Sequence, residues 1–188
     1  MRLFHFSDEP DIRIFKPRPI RVTVERPIGK EWLNDPLVWA TDEHHEMLYM
    51  FPRECPRILV WPTLKTTPDD KEAWFGERSR RAIAHIERAW FERLRTGLVH
   101  RYEMPSSTFE EVGEVGMWVS RADVKPERVE TLRDLLAQLE SLNVELRVME
   151  RLTPLKTVWQ TSLHASGIRL RNAQDWGKPS WSHSGPTK

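Results

Sequence analysis

The chain has 188 residues, of which 39% are hydrophobic and 30% are charged, so it can bury the core of one globular domain. Lysine and arginine number 29 against 28 aspartates and glutamates, and this near balance argues against a protein that coats nucleic acid or an anionic membrane. The single cysteine, Cys55, cannot form an intramolecular disulfide. No stretch approaches the roughly 18 consecutive apolar residues of a membrane helix, and no apolar signal core begins the chain. We therefore expect a cytoplasmic protein without a membrane partner.

The composition is unusual in its nine tryptophans and in its 21 arginines against eight lysines. Aromatic rings and guanidinium groups stack on bases, on other rings and on partner proteins. The composition therefore favours a binding surface on the molecule.

Short strands dominate the first part of the predicted fold. Met1–Ser7 is predicted to form a buried strand, and the segment 16–36, rich in proline and arginine, a long ordered loop with a β-like run at 21–24. Such a loop in a compact domain is often functional, so it either borders a site or is a plain surface excursion. A short central strand over 37–40 follows, and Thr41 is predicted to cap a short helix that continues to Tyr49.

Two amphipathic helices are predicted in the remaining chain. Apolar residues at spacings of three and four predict a helix over 78–96, and Thr131 with Asp134 resembles a capping box before a leucine-rich helix that ends at Asn143. A helical turn is predicted over 69–74. Further strands are predicted over 57–61, 98–104, 117–120 and 144–150.

These elements predict an α+β fold with short strands in a mixed or mainly antiparallel sheet and about three helices. We assign residues 1–173 to a single globular domain. The segment 174–188 is rich in glycine, proline and serine, and it is predicted to be a disordered tail.

Several kinds of chemistry lack support in the sequence. Neither a GxGxxG nor a GxxxxGK[ST] phosphate loop is present. Cys55 lies near two arginines but lacks a recognisable histidine partner. The adjacent His44 and His45 would point about 100° apart on a helix, so they are poorly placed to share a metal ion, and we expect no metal site.

A dispersed set of polar residues remains. His5 lies within the otherwise apolar first strand and is followed by Ser7, while the second strand ends at Thr41 and leads to Tyr49. A lone histidine in a strand is more often a hydrogen-bonded core residue than a catalytic one. The alternative is that these groups converge from neighbouring strand ends on one site.

The arrangement Leu3-Phe-His-Phe-Ser7, a loop, Val38-Trp-Ala-Thr41 and then Tyr49 resembles the opening of the ADP-ribosyltransferase-like fold. In that superfamily a histidine on the first strand binds the ribose of NAD, and residues of the second region contact the nicotinamide side. The resemblance implies that His5 takes the first of these roles and that Thr41 and Tyr49 take the second. Ser7 would be a further ligand-binding residue, as a donor for the ribose hydroxyls.

A third match lies at Gly116 to Val129, which resembles a strand and turn of the RNA 2′-phosphotransferase branch. The resemblance implies that Ser120 is an active-site residue beside His5 and Tyr49, and that Trp118, Arg53 and Arg121 help to bind the ligand. Val119, Ser120 and Arg121 occupy the place of the catalytic glutamate of protein-modifying transferases, and Glu114 precedes the strand. Transfer to a protein side chain is therefore doubtful on this pattern, while nucleotide binding and phosphate-directed chemistry stay open.

Residues 1–173 are also similar, from MRLFHFS to SGIRLRNA, to a bacterial family of conserved hypothetical proteins without an assigned activity. Two functions remain. The first is an ADP-ribosyltransferase-like enzyme that acts on NAD or on a 2′-phosphorylated or ADP-ribosylated nucleotide. The second is a non-catalytic interaction protein that holds a protein partner on a surface rich in tryptophan and arginine.

Overall fold

The structure is a computed structural model that describes residues 1–19 and 25–178. Within these residues the chain forms ten strands, three α-helices and five short 3-10 helices, arranged in two sheets. The predicted α+β class with short, mixed or antiparallel strands is confirmed. The β-like run predicted over 21–24 lies outside the described residues.

One compact unit comprises Met1–Arg53 and Gly97–Leu135. It is built on a six-stranded antiparallel sheet in the order β6-β7-β2-β1-β5-β8. Its strands are β1 Leu3–Ser7, β2 Val38–Asp42, β5 Val99–Met104, β6 Glu110–Glu111, β7 Met117–Ser120 and β8 Arg128–Leu132. Short 3-10 helices lie at Glu31–Asn34, Glu46–Tyr49 and Ser106–Thr108. One face of the sheet packs on Phe15 and Val124, and the other packs on Leu33 and Val112.

The second unit comprises Glu54–Thr96 and the described residues from Leu136 onward. Its four-stranded sheet has the order β10-β3-β4-β9, with β9 parallel to β4 and the other pairs antiparallel. The strands are β3 Arg57–Trp61, β4 Ala82–Glu87, β9 Val144–Met149 and β10 His164–Ile168. The helices are α1 Pro68–Phe75, α2 Arg88–Thr96 and α3 Leu135–Ser141, with 3-10 helices at Thr153–Gln160 and Leu170–Asn172.

The helix predicted over 78–96 is wrong in its first half. Ala82–Glu87 forms the strand β4, and the helix α2 begins only at Arg88. All six residues of β4 are buried, because the strand lies between β3 and β9. A strand that is buried on both faces does not alternate between apolar and polar residues. The spacing of three between Ile83 and Ile86 was therefore mistaken for the period of a helix.

Two predicted helix starts also lie elsewhere. Thr41 belongs to the strand β2, and only the 3-10 helix Glu46–Tyr49 follows it. Asp42 stabilises the turn that precedes this 3-10 helix, since its carboxylate accepts the backbone N–H of His45 at 2.8 Å. The helix expected after Thr131 begins at Leu135, but Asn143 has the left-handed φ of 57° that is typical of a residue just beyond a helix end.

Residues 174–178 of the predicted tail contact the second unit. The backbone N–H of Gln174 donates to the buried carboxylate of Glu87 at 3.0 Å, and Trp176 packs on the apolar core of this unit. The remaining tail residues, 179–188, lie outside the described part, and the assignment of residues 1–173 to one domain stays a prediction. Among the described helices, none has the length and apolar character that a bilayer crossing requires.

Gly116, at the start of β7, occupies a position that only glycine fits. Its φ is +74°, and a Cβ atom there would lie 2.4 Å from Cγ of His45. Gly29 has a similar φ of +82° but has open space around the same position.

We predict that Gly116→Ala lowers the free energy of unfolding by about 2–4 kcal/mol. The cost of the positive φ and the cost of overpacking against His45 both contribute to this loss. Gly29→Ala is the matched control, because it introduces only the strain and should cost about 1 kcal/mol. Urea unfolding of both variants measures the difference. Equal losses would contradict the proposed contact with His45.

His85 is buried in β4, where its Nδ1 lies 3.3 Å from the Ile58 carbonyl oxygen. Burial, together with a smaller effect of the nearby Arg147 charge, lowers the pKa of the imidazole to about 4, against the opposing effects of the bond to Ile58 and of the Glu145 charge. Between pH 6.5 and pH 4 the unfolded chain therefore binds a proton that the native chain does not.

The free energy of unfolding should accordingly fall as the pH falls from 6.5 toward 4, with His85 contributing a loss on the order of 3 kcal/mol. In His85→Gln this part of the pH dependence should disappear, whatever the stability of the variant at pH 7. Urea unfolding across this pH range compares the two slopes. Identical slopes would show that His85 does not titrate as proposed.

Candidate nucleotide-binding site

The six-stranded sheet splits between its two central strands. β1 and β2 pair at Leu3 with Asp42 and at Phe4 with Thr41, and the described residues beyond these two pairs no longer form a ladder. β1 continues along β5 as far as Ser7, while β2 continues along β7 as far as Val38. The two halves of the sheet therefore separate at His5, and this split forms the candidate site.

His5 lies where the split begins. Its Nδ1 donates to the carbonyl oxygen of Trp39 at 2.7 Å, because a carbonyl can only accept. The imidazole therefore donates a hydrogen bond to this carbonyl, which would have no partner because the ladder between β1 and β2 is interrupted here. The ring also packs against Phe15, with the ring centroids 4.7 Å apart.

Two arginines place positive charge near this imidazole. Burial lowers the pKa of His5 below its ordinary value, and the charges of Arg53 and Arg18 lower it further, against the opposing effect of the bond to Trp39. Arg18 is brought to the site by a backbone bridge with Leu37, at the start of β2. With Nδ1–H committed to Trp39, the neutral imidazole presents Nε2 as a hydrogen-bond acceptor.

Ser7, Trp118 and Ser120 belong to the same face of the sheet as His5. Ser7 lies two residues beyond His5 on β1, and Ser120 is paired with Val38, which packs in the same core cluster as Phe15. Both serines are buried, and each hydroxyl accepts a nearby backbone N–H, Ser7 from Glu9 at 3.1 Å and Ser120 from Ala122 at 3.3 Å. Trp118 packs against this cluster from the edge.

The structure does not bring Thr41, Tyr49 and Arg121 to this face. Thr41 is paired with Phe4 and Met117, and the Tyr49 hydroxyl donates to the Met117 sulfur at 3.3 Å. The Arg121 guanidinium lies over Trp32 of the opposite core cluster, at 4.5 Å from the ring centroid. Of the eight predicted site residues, five are therefore grouped around the split: His5, Ser7, Arg53, Trp118 and Ser120.

The Thr41 hydroxyl has a different environment. It is 2% exposed, and its oxygen has no hydrogen-bond partner within the described residues. Its place beside Phe4 on the opposite face separates it from the imidazole of His5. The predicted pair of Thr41 and Tyr49 therefore lies in an apolar layer.

Arg18 is the site residue that sequence reasoning missed. The only signal was its position in the long loop that we expected to border a site, and none of the four arginines of residues 13–26 stood out from the others. The backbone bridge to Leu37 distinguishes Arg18 from the other three arginines. No sequence pattern predicts such a bridge.

The residues that the sequence analysis set aside have other roles. Burial raises the pKa of the Cys55 thiol to about 12, which leaves it unreactive near neutral pH. The His45 Nδ1 lies 2.7 Å from a carboxylate oxygen of Asp42, and Gly116 fits closely against the same ring. His45 is therefore part of a packed turn, and not on a solvated helix face.

We predict that both Arg18→Ala and Arg53→Ala raise the pKa of His5, because each removes a positive charge that opposes protonation. Arg13→Ala, an exposed arginine of the same segment, is the control and should leave the pKa unchanged. The proton NMR titration of the His5 imidazole measures all three. An unchanged pKa in Arg18→Ala and Arg53→Ala would mean that neither guanidinium acts on this ring.

A protein-family model described as a family of unknown function (DUF6886) matches residues 4–173. Comparison with curated proteins and with solved structures gives no match. The matched segment begins in β1, beside His5, and ends just beyond the last 3-10 helix. Because the match spans most of the chain, the protein belongs to the DUF6886 family.

Proposed function

We propose that the protein binds a nucleotide in the split between β1 and β2, and that its fold is ADP-ribosyltransferase-like. The ligand would be NAD or a 2′-phosphorylated or ADP-ribosylated nucleotide, bound by His5 with Arg18 and Arg53. The observation that carries the proposal is the interrupted ladder, with the imidazole of His5 bonded to the Trp39 carbonyl at its apex. The positive charges of Arg18 and Arg53 act on the pKa of this imidazole, which supports an anionic ligand.

The chemistry of these groups matches the two parts of a nucleotide. A neutral imidazole whose Nδ1–H is engaged accepts a hydrogen bond at Nε2, and a sugar hydroxyl can donate that bond. A guanidinium binds phosphate oxygens through charge-assisted hydrogen bonds. A ligand that carries both a hydroxyl and a phosphate therefore satisfies His5 and the arginines at once.

The same groups limit the reaction. Cleavage of the glycosidic bond of NAD builds positive charge on the ribose, and protein-modifying transferases oppose it with a glutamate. Val119, Ser120 and Arg121 stand at the corresponding place in this chain. A transferase that handles a phosphate group fits this site better than one that modifies protein side chains.

One observation favours the second candidate function, a non-catalytic interaction protein. The bond from His5 to the Trp39 carbonyl is the bond expected of a purely structural histidine. Trp159 also has 46% of its surface exposed, which gives the second unit an aromatic group for a protein partner. Nucleotide binding separates the two functions, since a purely structural His5 needs no ligand.

The direct test is a thermal-shift assay with NAD, ADP-ribose and a 2′-phosphorylated dinucleotide. A ligand at a hundred times its dissociation constant should stabilise the wild-type protein by about 2.7 kcal/mol. Arg18→Ala and Arg53→Ala should each weaken binding about tenfold or more, since each removes a charge-assisted hydrogen bond to phosphate. Calorimetric titration of the same variants gives the affinities.

Arg13→Ala is again the matched control and should bind as the wild type does. The arginine variants are preferable to His5→Ala, which leaves the Trp39 carbonyl unpaired and loses stability for that reason alone. If none of the three ligands shifts the unfolding temperature of the wild type, the nucleotide proposal is wrong. The interaction function would then be the one to pursue.

A further inference from the structure

The strand β8, Arg128–Leu132, is the last strand of the six-stranded sheet. One side of it pairs with β5 along its whole length. No strand of the described residues pairs with its other side. The edge of a sheet presents backbone N–H and C=O groups that can pair with a further strand, so β8 is a candidate interaction surface.

The side chains of β8 leave this edge accessible. Val129 has 46% of its surface exposed, and Arg128 and Thr131 are exposed as well. A hollow of about 260 Å³ lies beside Val129 and is also lined by Ile12 and Tyr102. A strand added to this edge would therefore cover apolar surface as well as pair with the backbone.

The charges of β8 alternate in sign, with Arg128 and Glu130 on either side of Val129. Glu103, the partner of Arg128 on β5, is already bound by Arg2 at 2.8 Å and 3.0 Å. Glu130 binds Arg101 at 2.7 Å, but 42% of its side chain stays exposed. Because a carboxylate accepts several hydrogen bonds, Glu130 can bind a second guanidinium from outside the chain.

A second copy of β8 matches this pattern when the two strands run antiparallel. If a two-fold axis stands perpendicular to the joined sheet, one residue of β8 lies opposite itself and both sheets keep the same face on the same side. With Val129 at the axis, Arg128 of each copy lies opposite Glu130 of the other. With Arg128 or Glu130 at the axis, two like charges would be directly opposed, which is destabilising.

The apolar contact favours the same register. Val129 of the second copy would lie opposite Val129 of the first, with Cβ atoms roughly 4.5–5.5 Å apart, and would cover the hollow beside it. Pairing of β8 with the other edge of the sheet fits less well, because β6 has only two residues. A two-fold contact also closes after two copies, whereas pairing of β8 with β6 would continue from copy to copy.

We propose that the protein forms a homodimer in which two β8 strands pair antiparallel about a two-fold axis at Val129. The two six-stranded sheets then form one continuous sheet. This inference does not rest on the proposed nucleotide site. Because a single pair of short strands makes a small interface, the dimer dissociates on dilution.

The test is sedimentation velocity of the full chain from about 1 μM to about 1 mM, a range in which weak association is visible. We expect the wild type to change from monomer to dimer as the concentration rises. Val129→Lys and Val129→Glu each place two like charges opposite one another at the axis, so each variant alone should stay monomeric. An equimolar mixture of the two opposes unlike charges and should dimerise again.

Val115→Lys is the matched control. Val115 is a valine of the same unit that is also 46% exposed, and it lies between β6 and β7, at the other end of the sheet. This variant should dimerise as the wild type does. Thermal unfolding establishes that each variant is folded.

Arg128→Glu tests the charge pairs separately from the axis. It replaces two pairs of opposite charge by two pairs of like charge, so the dissociation constant of the dimer should rise about tenfold or more. Arg128→Lys keeps the charge and should dimerise nearly as the wild type does.

The outcomes decide the proposal without any nucleotide. Recovery of the dimer in the mixture of Val129→Lys and Val129→Glu, each monomeric alone, supports the two-fold contact. A dimer that all variants of Val129 and Arg128 form equally would use another surface, and the proposal would be wrong. A wild type that stays monomeric over the whole range would also overturn it, and an extended peptide of another protein would then be the occupant to test.

Discussion

The site in this molecule depends on the hydrogen bond between His5 and the Trp39 carbonyl. Where β1 and β2 separate, the carbonyl of Trp39 would lose its ladder partner, and an unpaired buried carbonyl costs roughly 1–3 kcal/mol. The imidazole supplies the missing donor at 2.7 Å. The same bond fixes the tautomer of the ring, so in the proposed site the structural bond of His5 also determines that Nε2 is an acceptor.

The charges around this bond are the reason that the proposed ligand is anionic and hydroxylated. Arg53 and Arg18 oppose protonation of His5, so the ring stays an acceptor while the guanidinium groups supply the positive charge. Elsewhere in the same unit arginine is neutralised, as in Arg101, which binds Glu46 at 2.6 Å and Glu130 at 2.7 Å. Arg101 therefore stabilises the sheet by joining Glu46 and Glu130.

Sequence reasoning recovered the elements whose pattern is local. Arg57–Trp61 and Met117–Ser120 were predicted with their observed bounds, because each is a short apolar run with clear ends. β4 was missed, because its burial depends on two distant strands. The grouping of His5 with Tyr49 was not reproduced for a related reason, since the face on which a side chain lies depends on pairing register, which the sequence does not specify. Arg18 likewise reaches the proposed site only through its backbone bridge with Leu37.

In the second unit, carboxylate groups have a purely structural role. Glu87 is buried and accepts backbone N–H groups of Leu152 and Gln174, and Asp70 accepts both the N–H and the hydroxyl of Ser162. Each carboxylate joins segments that are distant in the chain, and its acceptor capacity is used within the protein. His5 differs, because its imidazole is held at Nδ1 by the Trp39 carbonyl, and Nε2 is the atom that the proposed site offers to a ligand. A ring that is already oriented by one nitrogen can bind a ligand hydroxyl with the other without rearranging, and this difference is the physical reason for proposing the site at the split in the six-stranded sheet.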